Sequence, residues 1–285
     1  MSEITVIGMG AMGSAIAAAL VEKGREVCVW NRTTAKTEPL KRIGASVPDS
    51  LDEAIAASPV TILCISNHSE SLELLSAAQS ALDGKVLVQL STCTGTEAEE
   101  FATWTAARGA DAMTGSIEAY PSAIGTDVAA VVLAGSGASW AACSGIVFDA
   151  APASMYLGDY HAIPAALSSA VISPVLGLVV GVVHGLLECE KSGFPVSDYV
   201  ELLPQILPVA TSQAEYLART VADDAFDDSE AALKTYGAAI AMRAADHRVR
   251  GVNDEFLAFL DGLCQRSIDA GHGDQELSAL IKIWR

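Results

Sequence analysis

The chain has 285 residues, which is enough for one large domain or two of medium size. Hydrophobic residues make up 51% of it, so a substantial core can form, and the formal net charge of −18 argues against binding to nucleic acid or to anionic membrane surfaces. The six cysteines are widely spaced, with no CxxC pair and no His/Cys cluster at metal-ligand spacing, so we expect buried thiols and no metal site. The N-terminus lacks the pattern of a secretion signal, and a reducing cytoplasm is the expected location.

The chain begins with alternating short strands and a helix. Residues 4–8 predict an apolar strand, residues 14–22 an alanine-rich helix, and residues 26–30 a second strand. A glycine-rich turn separates the first strand from the helix. Strand, glycine turn, helix and strand in this order are typical of the first unit of a dinucleotide-binding fold.

The turn has the spacing Gly8-x-Gly10-x-x-Gly13, with Ala11 and Met12 between the last two glycines. In this setting the motif predicts a site for the cofactor pyrophosphate. The first glycine permits a tight turn, the second lets the pyrophosphate approach the backbone, and the third lets the helix pack closely on the strand. The N–H groups and dipole at the start of the helix would then hold the phosphates.

The end of the second strand indicates which dinucleotide binds. An NAD site usually has an acidic residue there, but this chain has Asn31, Arg32 and Thr33, with Lys36 one helical turn further on. A guanidinium can form two hydrogen bonds to a 2′-phosphate. Because basic residues are scarce in this protein, we interpret this pair as a sign of NADPH rather than as a solvated strand end.

Two more apolar runs, residues 60–65 and residues 86–90, predict strands of a parallel sheet that is buried on both faces. In open α/β sheets, ligands bind beyond the carboxyl ends of the strands. We therefore expect the residues at these two ends to line the cofactor cleft, although turn and capping roles are an equal alternative for each. They are Ile65, Ser66, Asn67, Ser91 and Thr92.

Two helix starts in this half carry a capping-box pattern. Ser50-x-x-Glu53 predicts one, and Thr96-x-x-Glu99 predicts the other. Beyond them, short β-like segments extend to about residue 134, and a helix over residues 138–148 and a strand over residues 154–157 follow. We place the domain boundary near Gly158, which gives a cofactor domain of residues 1–158 and a helical domain of residues 159–285.

The second half opens with one long predicted helix, residues 164–191, whose middle is almost wholly apolar. Its length would suit a membrane span, but it contains Ser173, Pro174 and His184. We favour a helix that is buried between subunits or domains, with His184 as a core residue. The remaining sequence predicts helices only, over residues 197–203, 208–221, 229–248, 253–269 and 274–283.

A Rossmann domain, a very long helix and a helical domain, in this order, resemble the β-hydroxyacid dehydrogenase superfamily. Within it, several stretches look like imine reductases and reductive aminases. These are the glycine turn, Trp30-Asn31-Arg32-Thr33 with Lys36, Tyr120-Pro121-Ser122-Ala123-Ile124-Gly125, Tyr156-Leu157-Gly158, His184-Gly185, and Ala270-Gly271-His272-Gly273-Asp274 through Leu277-Ser278-Ala279-Leu280. The resemblance covers nearly the whole chain. It implies NADPH-dependent reduction of C=N bonds by a homodimer whose active site lies between the Rossmann domain of one subunit and the helical domain of the other.

The sequence departs from this family at one important position. Such enzymes usually carry Asp or Tyr on the long helix about a dozen residues after Tyr-Leu-Gly, where gap-free counting finds Ser168. Serine is a poor acid, so the usual proton donor is missing. Related hydroxyacid dehydrogenases have a catalytic lysine in this region, whereas this helix has no lysine before Lys191.

Three residues are therefore the catalytic candidates. Glu118 stands where the resemblance places an apolar pocket residue, and its carboxyl would anchor an iminium or donate a proton if burial raises its pKa. Ser168 would orient the substrate nitrogen by a hydrogen bond. Tyr236 falls where family members often present a polar pocket residue. The alternatives are a surface carboxylate for Glu118, a packing residue for Ser168 and a core residue for Tyr236.

The sequence thus predicts an α/β protein with an N-terminal Rossmann domain, a long interdomain helix and a C-terminal all-helical dimerisation domain. Its predicted activity is NADPH-dependent hydride transfer to the C=N bond of a small imine, or of one formed from an amine and a carbonyl compound. Two alternatives remain open: a β-hydroxyacid or carbonyl reductase of the same superfamily, and a catalytically silent NADPH-binding protein.

Overall fold

In a computed structural model, which describes residues 2–285, the strands form one seven-stranded sheet. The strand order is β2-β1-β3-β4-β5-β6-β7; all neighbours run parallel except β5 and β6, which are antiparallel. The direction of winding reverses between β1 and β3, which makes their carboxyl ends the expected ligand crevice. The strands are β1 (Ile4–Ile7), β2 (Val27–Trp30), β3 (Val60–Leu63), β4 (Val86–Gln89), β5 (Asp111–Ile117), β6 (Val131–Gly135) and β7 (Met155–Tyr156).

Helices cover both faces of this sheet, and two separate apolar clusters form the core. One cluster packs α1 and α6 against one face, and the other packs α3, α4 and α5 against the opposite face. Because both faces are covered, the central strands β1, β3 and β4 are almost wholly buried, and they are apolar except for Thr5, Thr61 and Gln89. The helices are α1 (Ala11–Glu22), α2 (Glu38–Arg42), α3 (Leu51–Ala56), α4 (His68–Ser76), α5 (Gly95–Ala106) and α6 (Gly137–Ala150).

The rest of the chain is helical, as predicted. It comprises α7 (Ile163–Ser192), α8 (Val196–Ala222), α9 (Leu233–Arg250), α10 (Glu255–Ser267), a π-helical segment, Ile268–His272, and a 3₁₀ segment, Leu277–Ile283. The chain divides into two compact units, Met1–Ser173 and Pro174–Arg285. The division falls inside α7, and the two residues directly before that helix, His161 and Ala162, form hydrogen bonds to the sheet unit. The domain boundary near Gly158 stays a prediction.

Helix α8 is continuous where the sequence predicted two helices. Pro204 and Pro208 both lie inside it. Each proline removes one hydrogen-bond donor and crowds the preceding turn, which disfavours a continuous helix. The apolar residues of α8 share one face. Val200 and Val209 are nevertheless more than half exposed, so packing within this chain does not explain why the helix continues through both prolines.

The long helix α7 has the predicted extent, but this chain does not bury it. By length and composition it is the one helix among the described residues that is apolar enough to cross a membrane, and none of its most apolar window is buried. Ile172, Leu176, Val180 and Val183 are each between 49% and 60% exposed. A single chain therefore leaves a long apolar surface uncovered.

One of the two predicted capping boxes is confirmed and the other is wrong. Ser50 and Glu53 cap α3 reciprocally, as expected. Helix α5, however, begins at Gly95, and its box is formed by Thr94 and Glu97 instead of Thr96 and Glu99. The sequence contains both patterns two residues apart, and only the position of the helix start distinguishes them. Glu99 is left available for a different contact.

Candidate cofactor and substrate site

The three motif glycines have three different surroundings in the turn between β1 and α1. Gly8 has a φ of +101°, and a Cβ on it would collide with the backbone of Cys64. A Cβ on Gly13 would collide with the carbonyl oxygen of Gly8, whereas a Cβ on Gly10 would meet nothing within 4 Å. The first and third glycines are thus required by the protein itself, and the second faces open space. Gly10 is also the N-cap of α1, which begins three residues earlier than predicted.

A cavity of about 580 Å³ opens in front of this turn, and we call it the cofactor cavity. Most of the predicted cofactor residues line it. They are Gly8, Gly10, Ala11, Met12, Gly13, Asn31, Arg32, Thr33, Lys36, Ile65 and Ser66. Its wall also includes residues that were not predicted to bind the cofactor: Trp30 at the end of β2, and Glu70, Glu73, Leu74 and Ala77 on or just after α4.

The polar residues after β2 have two different roles: Asn31 forms hydrogen bonds within the protein, whereas Arg32 and Lys36 face solvent. Asn31 accepts a hydrogen bond from the Met9 N–H at 2.9 Å and donates one to the Thr33 carbonyl at 3.0 Å. It therefore ties the glycine turn to the end of β2. Arg32 and Lys36 are exposed. Within residues 2–285 neither forms an ion pair with the protein, so both charges are available to a ligand in the cavity.

A second cavity of about 490 Å³ adjoins the first, and the two share Met12, Cys64 and Ile65 in their walls. We call it the second cavity. It is bounded by the segment after β4, by β5 and by the first turns of α7. The residues from these three elements are Leu90, Ser91, Thr92, Cys93, Gly115, Ser116, Ile117, Ala165, Ser168, Ser169 and Ile172.

The predicted residues at the strand ends differ in what their side chains do. Ser91 is 2% exposed, and its hydroxyl accepts a hydrogen bond from the Ile65 N–H at 3.1 Å, so it mainly joins the end of β4 to the end of β3. Thr92 is exposed at the second cavity. Asn67 lines neither cavity; its side chain caps α4 by accepting from the Glu70 N–H at 2.9 Å. A side-chain amide directly before a helix is a common cap.

The three catalytic candidates lie in different places. Ser168 lines the second cavity, and no hydrogen bond joins its hydroxyl to the rest of the described chain. Glu118 follows β5 and is half-buried, with a buried Oε1 that has no partner among the described residues. Tyr236 is half-buried in α9, in the other compact unit.

Glu118 continues the face of β5 that carries Thr114 and Ser116. The Glu118 N–H donates a hydrogen bond to the Ala130 carbonyl at 2.9 Å, which continues the antiparallel pairing of β5 with β6. The alternation of side chains between the two faces of the strand therefore extends to Glu118. Thr114 on the same face contacts His161, and Ser116 lines the second cavity. Successive residues on one face are about 7 Å apart along a strand, which places Glu118 one step beyond the cavity wall.

The two thiols in the second cavity are poor proton donors and poor nucleophiles. Burial raises the pKa of the Cys64 thiol to about 11. Burial, with a smaller contribution from the Glu97 carboxylate, also raises the pKa of Cys93. Both therefore stay protonated at neutral pH. The ionisable groups of this wall supply no ready acid for catalysis.

Comparisons with known proteins agree with this arrangement. Residues 3–158 match the family model for the NAD binding domain of 6-phosphogluconate dehydrogenase. Residues 161–285 match the model for the NADPH-dependent reductive aminase-like C-terminal domain. An NADPH-dependent reductive aminase from Aspergillus oryzae is 27% identical over 99% of this chain and 97% of its own length.

Solved structures give the same result over the full length. A reductive aminase from Aspergillus terreus, in complex with a nicotinamide cofactor, cyclohexanone and allyl amine, is 31% identical with a TM-score of 0.93, and the match covers 100% of both chains. An imine reductase from Myxococcus stipitatus in complex with NADP⁺ is 26% identical with a TM-score of 0.94, covering 99% of this chain and 100% of that one. The chain belongs to the imine reductase and reductive aminase family of NADPH-dependent oxidoreductases.

Proposed function

We propose that this chain reduces the C=N bond of a small imine or iminium ion, either a cyclic imine or one formed from a ketone and a primary amine. The observation that carries the proposal is the continuity of the two cavities, which begin at Arg32 and Lys36 and end at Ser168 on α7. A dinucleotide spanning the first would present its reactive ring to the second. The ligands named for the Aspergillus terreus enzymes, cyclohexanone with allyl amine and dibenz[c,e]azepine, belong to these classes.

The residues present suit NADPH. Gly10 leaves room for the pyrophosphate, the N-terminus of α1 offers free N–H groups, and Arg32 and Lys36 are free to pair with a 2′-phosphate. When bound, the cofactor supplies the hydride. The chain itself has to position the substrate, exclude water and stabilise the positive charge of the C=N group.

Glu118 is the proposed source of that stabilisation. A buried carboxylate oxygen without a hydrogen-bond partner costs free energy unless a positive charge lies beside it or a proton is bound to it. A substrate cation beside it would satisfy it, and in a water-poor cleft the attraction exceeds that of a hydroxyl dipole. Ser168 is proposed to orient the substrate nitrogen by a hydrogen bond, and Tyr236 to add a polar group from the helical domain.

We also propose that the enzyme is a cytoplasmic homodimer whose two domains meet near Gly158. The exposed apolar surface of α7 supports the dimer, because an uncovered surface of this size favours aggregation in a monomer. A second copy of the chain would cover it. Tyr236 would then reach the substrate from the partner's helical domain, as the family resemblance implies.

The activity is tested by following NADPH oxidation with a small panel of substrates. We expect turnover with a cyclic imine such as 2-methyl-1-pyrroline and with cyclohexanone plus a primary amine. Cyclohexanone alone and 3-hydroxy acids with NADP⁺ should react at least an order of magnitude more slowly. Reaction with the ketone or hydroxy acid but not with the imines would favour a carbonyl or hydroxyacid reductase. Cofactor binding without any turnover would favour a silent NADPH-binding protein.

The role of Glu118 is tested by comparing Glu118→Gln with Ser168→Ala. The first removes a charge and keeps the shape, so kcat/KM should fall by about 10²–10⁴-fold if the carboxyl acts as a general acid or anchors the cation. The second removes one ordinary hydrogen bond and should cost roughly tenfold or less. Near wild-type activity of Glu118→Gln with a dead Ser168→Ala would mean that the chemistry resides on α7.

The pH profile of the wild type distinguishes the two ways in which Glu118 can act. If the carboxyl donates the proton, the rate falls as pH rises and the group loses that proton. If it only anchors the cation, activity falls at low pH, when the group becomes neutral. The fall in rate that depends on this carboxyl should be absent from the pH profile of Glu118→Gln. It should be present in the pH profile of Ser168→Ala.

A further inference from the structure

The start of α7 is fastened to the sheet unit by a group of contacts that we call the α7 anchor: Glu99 on α5, Thr114 on β5, and the His161–Ala162 segment. The Thr114 hydroxyl donates to the His161 carbonyl at 2.9 Å, and the same oxygen lies 3.1 Å from His161 Nδ1. A hydroxyl has one proton, which the carbonyl must receive. His161 Nδ1 therefore carries a hydrogen and donates it to Thr114. The pair is reciprocal, and Thr114 is only 1% exposed.

The second contact of the anchor comes from α5. Glu99 Oε1 accepts a hydrogen bond from the Ala162 N–H at 3.2 Å. This N–H directly precedes the first residue of α7, where backbone donors have no partner within the helix. A carboxylate is favourable there because of the helix dipole. Gly95 permits the approach, since a Cβ on it would lie 3.1 Å from the Ala162 Cβ.

The anchor lies on the same side of α7 as the wall of the second cavity. Ala165, Ser168 and Ile172 line that cavity, and they follow Ala162 at spacings of three or four residues. Such spacing places residues on one helix face. Ser168 is six residues beyond Ala162, or about 9 Å along the axis. A change in the direction of the helix at Ala162 therefore moves Ser168.

We propose that Thr114 and Glu99 are positioning residues for the substrate: they hold the first turns of α7 so that its wall of the second cavity has a defined shape. Neither residue lines either cavity, and both act through the backbone of His161 and Ala162. The proposal rests on the proposed function, because it takes the second cavity as the substrate site. Misplacement of a reacting group by about 1 Å can cost on the order of a hundredfold in rate.

The test uses the full-length enzyme and four variants. Thr114→Val keeps the shape and removes the hydroxyl, and Thr114→Ser restores a hydroxyl. Glu99→Gln keeps the shape and removes the charge. Thr105→Val is the matched control, because Thr105 is also fully buried in the sheet unit but its hydroxyl bonds only to the Ala102 carbonyl of its own helix. Two readouts are compared: hydrogen–deuterium exchange of residues 160–172, and the steady-state constants with 2-methyl-1-pyrroline.

We expect faster exchange over residues 160–172 in Thr114→Val and in Glu99→Gln, with Thr114→Ser close to wild type. The KM for the imine should rise about tenfold in Thr114→Val, as for the loss of one or two hydrogen bonds. The dissociation constant for NADPH should stay within about twofold of wild type, because no residue of the α7 anchor lines the cofactor cavity. If Thr114→Val does not fold, the same two measurements on Glu99→Gln test the proposal.

The proposal is overturned if exchange of residues 160–172 is unchanged in both variants. It is also overturned if Thr105→Val raises exchange and KM as much as Thr114→Val does, because the effect would then be a general loss of stability. The exchange measurement needs no turnover. A wild-type enzyme that reduces no imine would contradict the proposed function, while the exchange data would still decide whether the anchor holds α7.

Discussion

At the scale of single residues, the glycine turn shows how one motif combines structural and functional requirements. Gly8 and Gly13 are needed because a side chain on either would collide with the backbone of the turn or of the neighbouring strand. Gly10 is not needed for folding, since a Cβ there would point into open space. The space at Gly10 is useful only to a ligand, and a pyrophosphate lying against the backbone is the ligand that the motif accommodates.

Arg32 should set the preference for NADPH. Its guanidinium is exposed at the cofactor cavity and unpaired within residues 2–285. A charge-assisted hydrogen bond contributes about 1.5–3 kcal/mol, and solvent reduces this at an open site, so Arg32→Ala should weaken NADPH binding about tenfold. NADH binding should change little. Titration of both cofactors measures this, with Lys41→Ala as a control for general loss of positive charge. Equal affinity of the wild type for the two cofactors would contradict the assignment.

His161 should make stability depend on pH. Burial lowers the pKa of its imidazole, an effect that the carboxylates of Glu99 and Asp159 partly oppose. In the unfolded chain histidine titrates near pH 6.5, so as pH falls below about 6.5 the unfolded state binds a proton that the folded state resists. The free energy of unfolding should therefore decrease over this range.

Urea unfolding of the wild type and of His161→Gln between pH 5 and pH 8 measures this contribution. The Gln side chain retains an N–H donor toward Thr114 but does not titrate. The difference in stability between the two proteins should change in favour of His161→Gln as the pH is lowered. Parallel pH profiles for the two proteins would show that His161 does not contribute.

At the scale of elements, the start of α5 shows how two equivalent patterns are resolved. Thr94 caps the helix, accepting from the Glu97 N–H at 3.3 Å, whereas Thr96 lies within its first turn. Thr94→Ala should lower the free energy of unfolding by about 1 kcal/mol. Thr96→Ala should change it by less than about 0.5 kcal/mol, because alanine is the better helix former. Denaturant titration of both variants makes the comparison, and the reverse order would favour the box first predicted with Glu99.

At the scale of the whole molecule, the exposed surface of α7 predicts a dimer. Light scattering at low micromolar concentration should give about twice the chain mass of 29.5 kDa. Val183→Asp should shift the protein toward monomer or aggregate, because Val183 is 60% exposed in the middle of this surface and a charge buried without a partner is costly. Val128→Asp is the control, since Val128 is 75% exposed in the sheet unit. A stable wild-type monomer, or protein recovered only in detergent, would contradict the dimer.

Much of the fold and of the cofactor site followed from the sequence by itself. The apolar runs, the spacing of Gly8, Gly10 and Gly13, and the basic pair Arg32 and Lys36 are local patterns. Each depends on residues close together in the chain, and each has one physical meaning once a strand precedes it and a helix follows it. The order of elements and the identity of the dinucleotide were predictable for this reason.

Other features were decided only by the tertiary structure, because they depend on contacts between residues far apart in the chain. Glu73 belongs to the cofactor cavity only because the fold brings α4 to the same cavity as the glycine turn and the end of β2. Glu99 meets Ala162 across 63 residues, and the partnerless oxygen of Glu118 exists only because surrounding elements exclude water from it. No local pattern encodes these contacts. The packing of whole elements brings such side chains together, and it is this packing that turns the predicted cleft into a site with a defined shape.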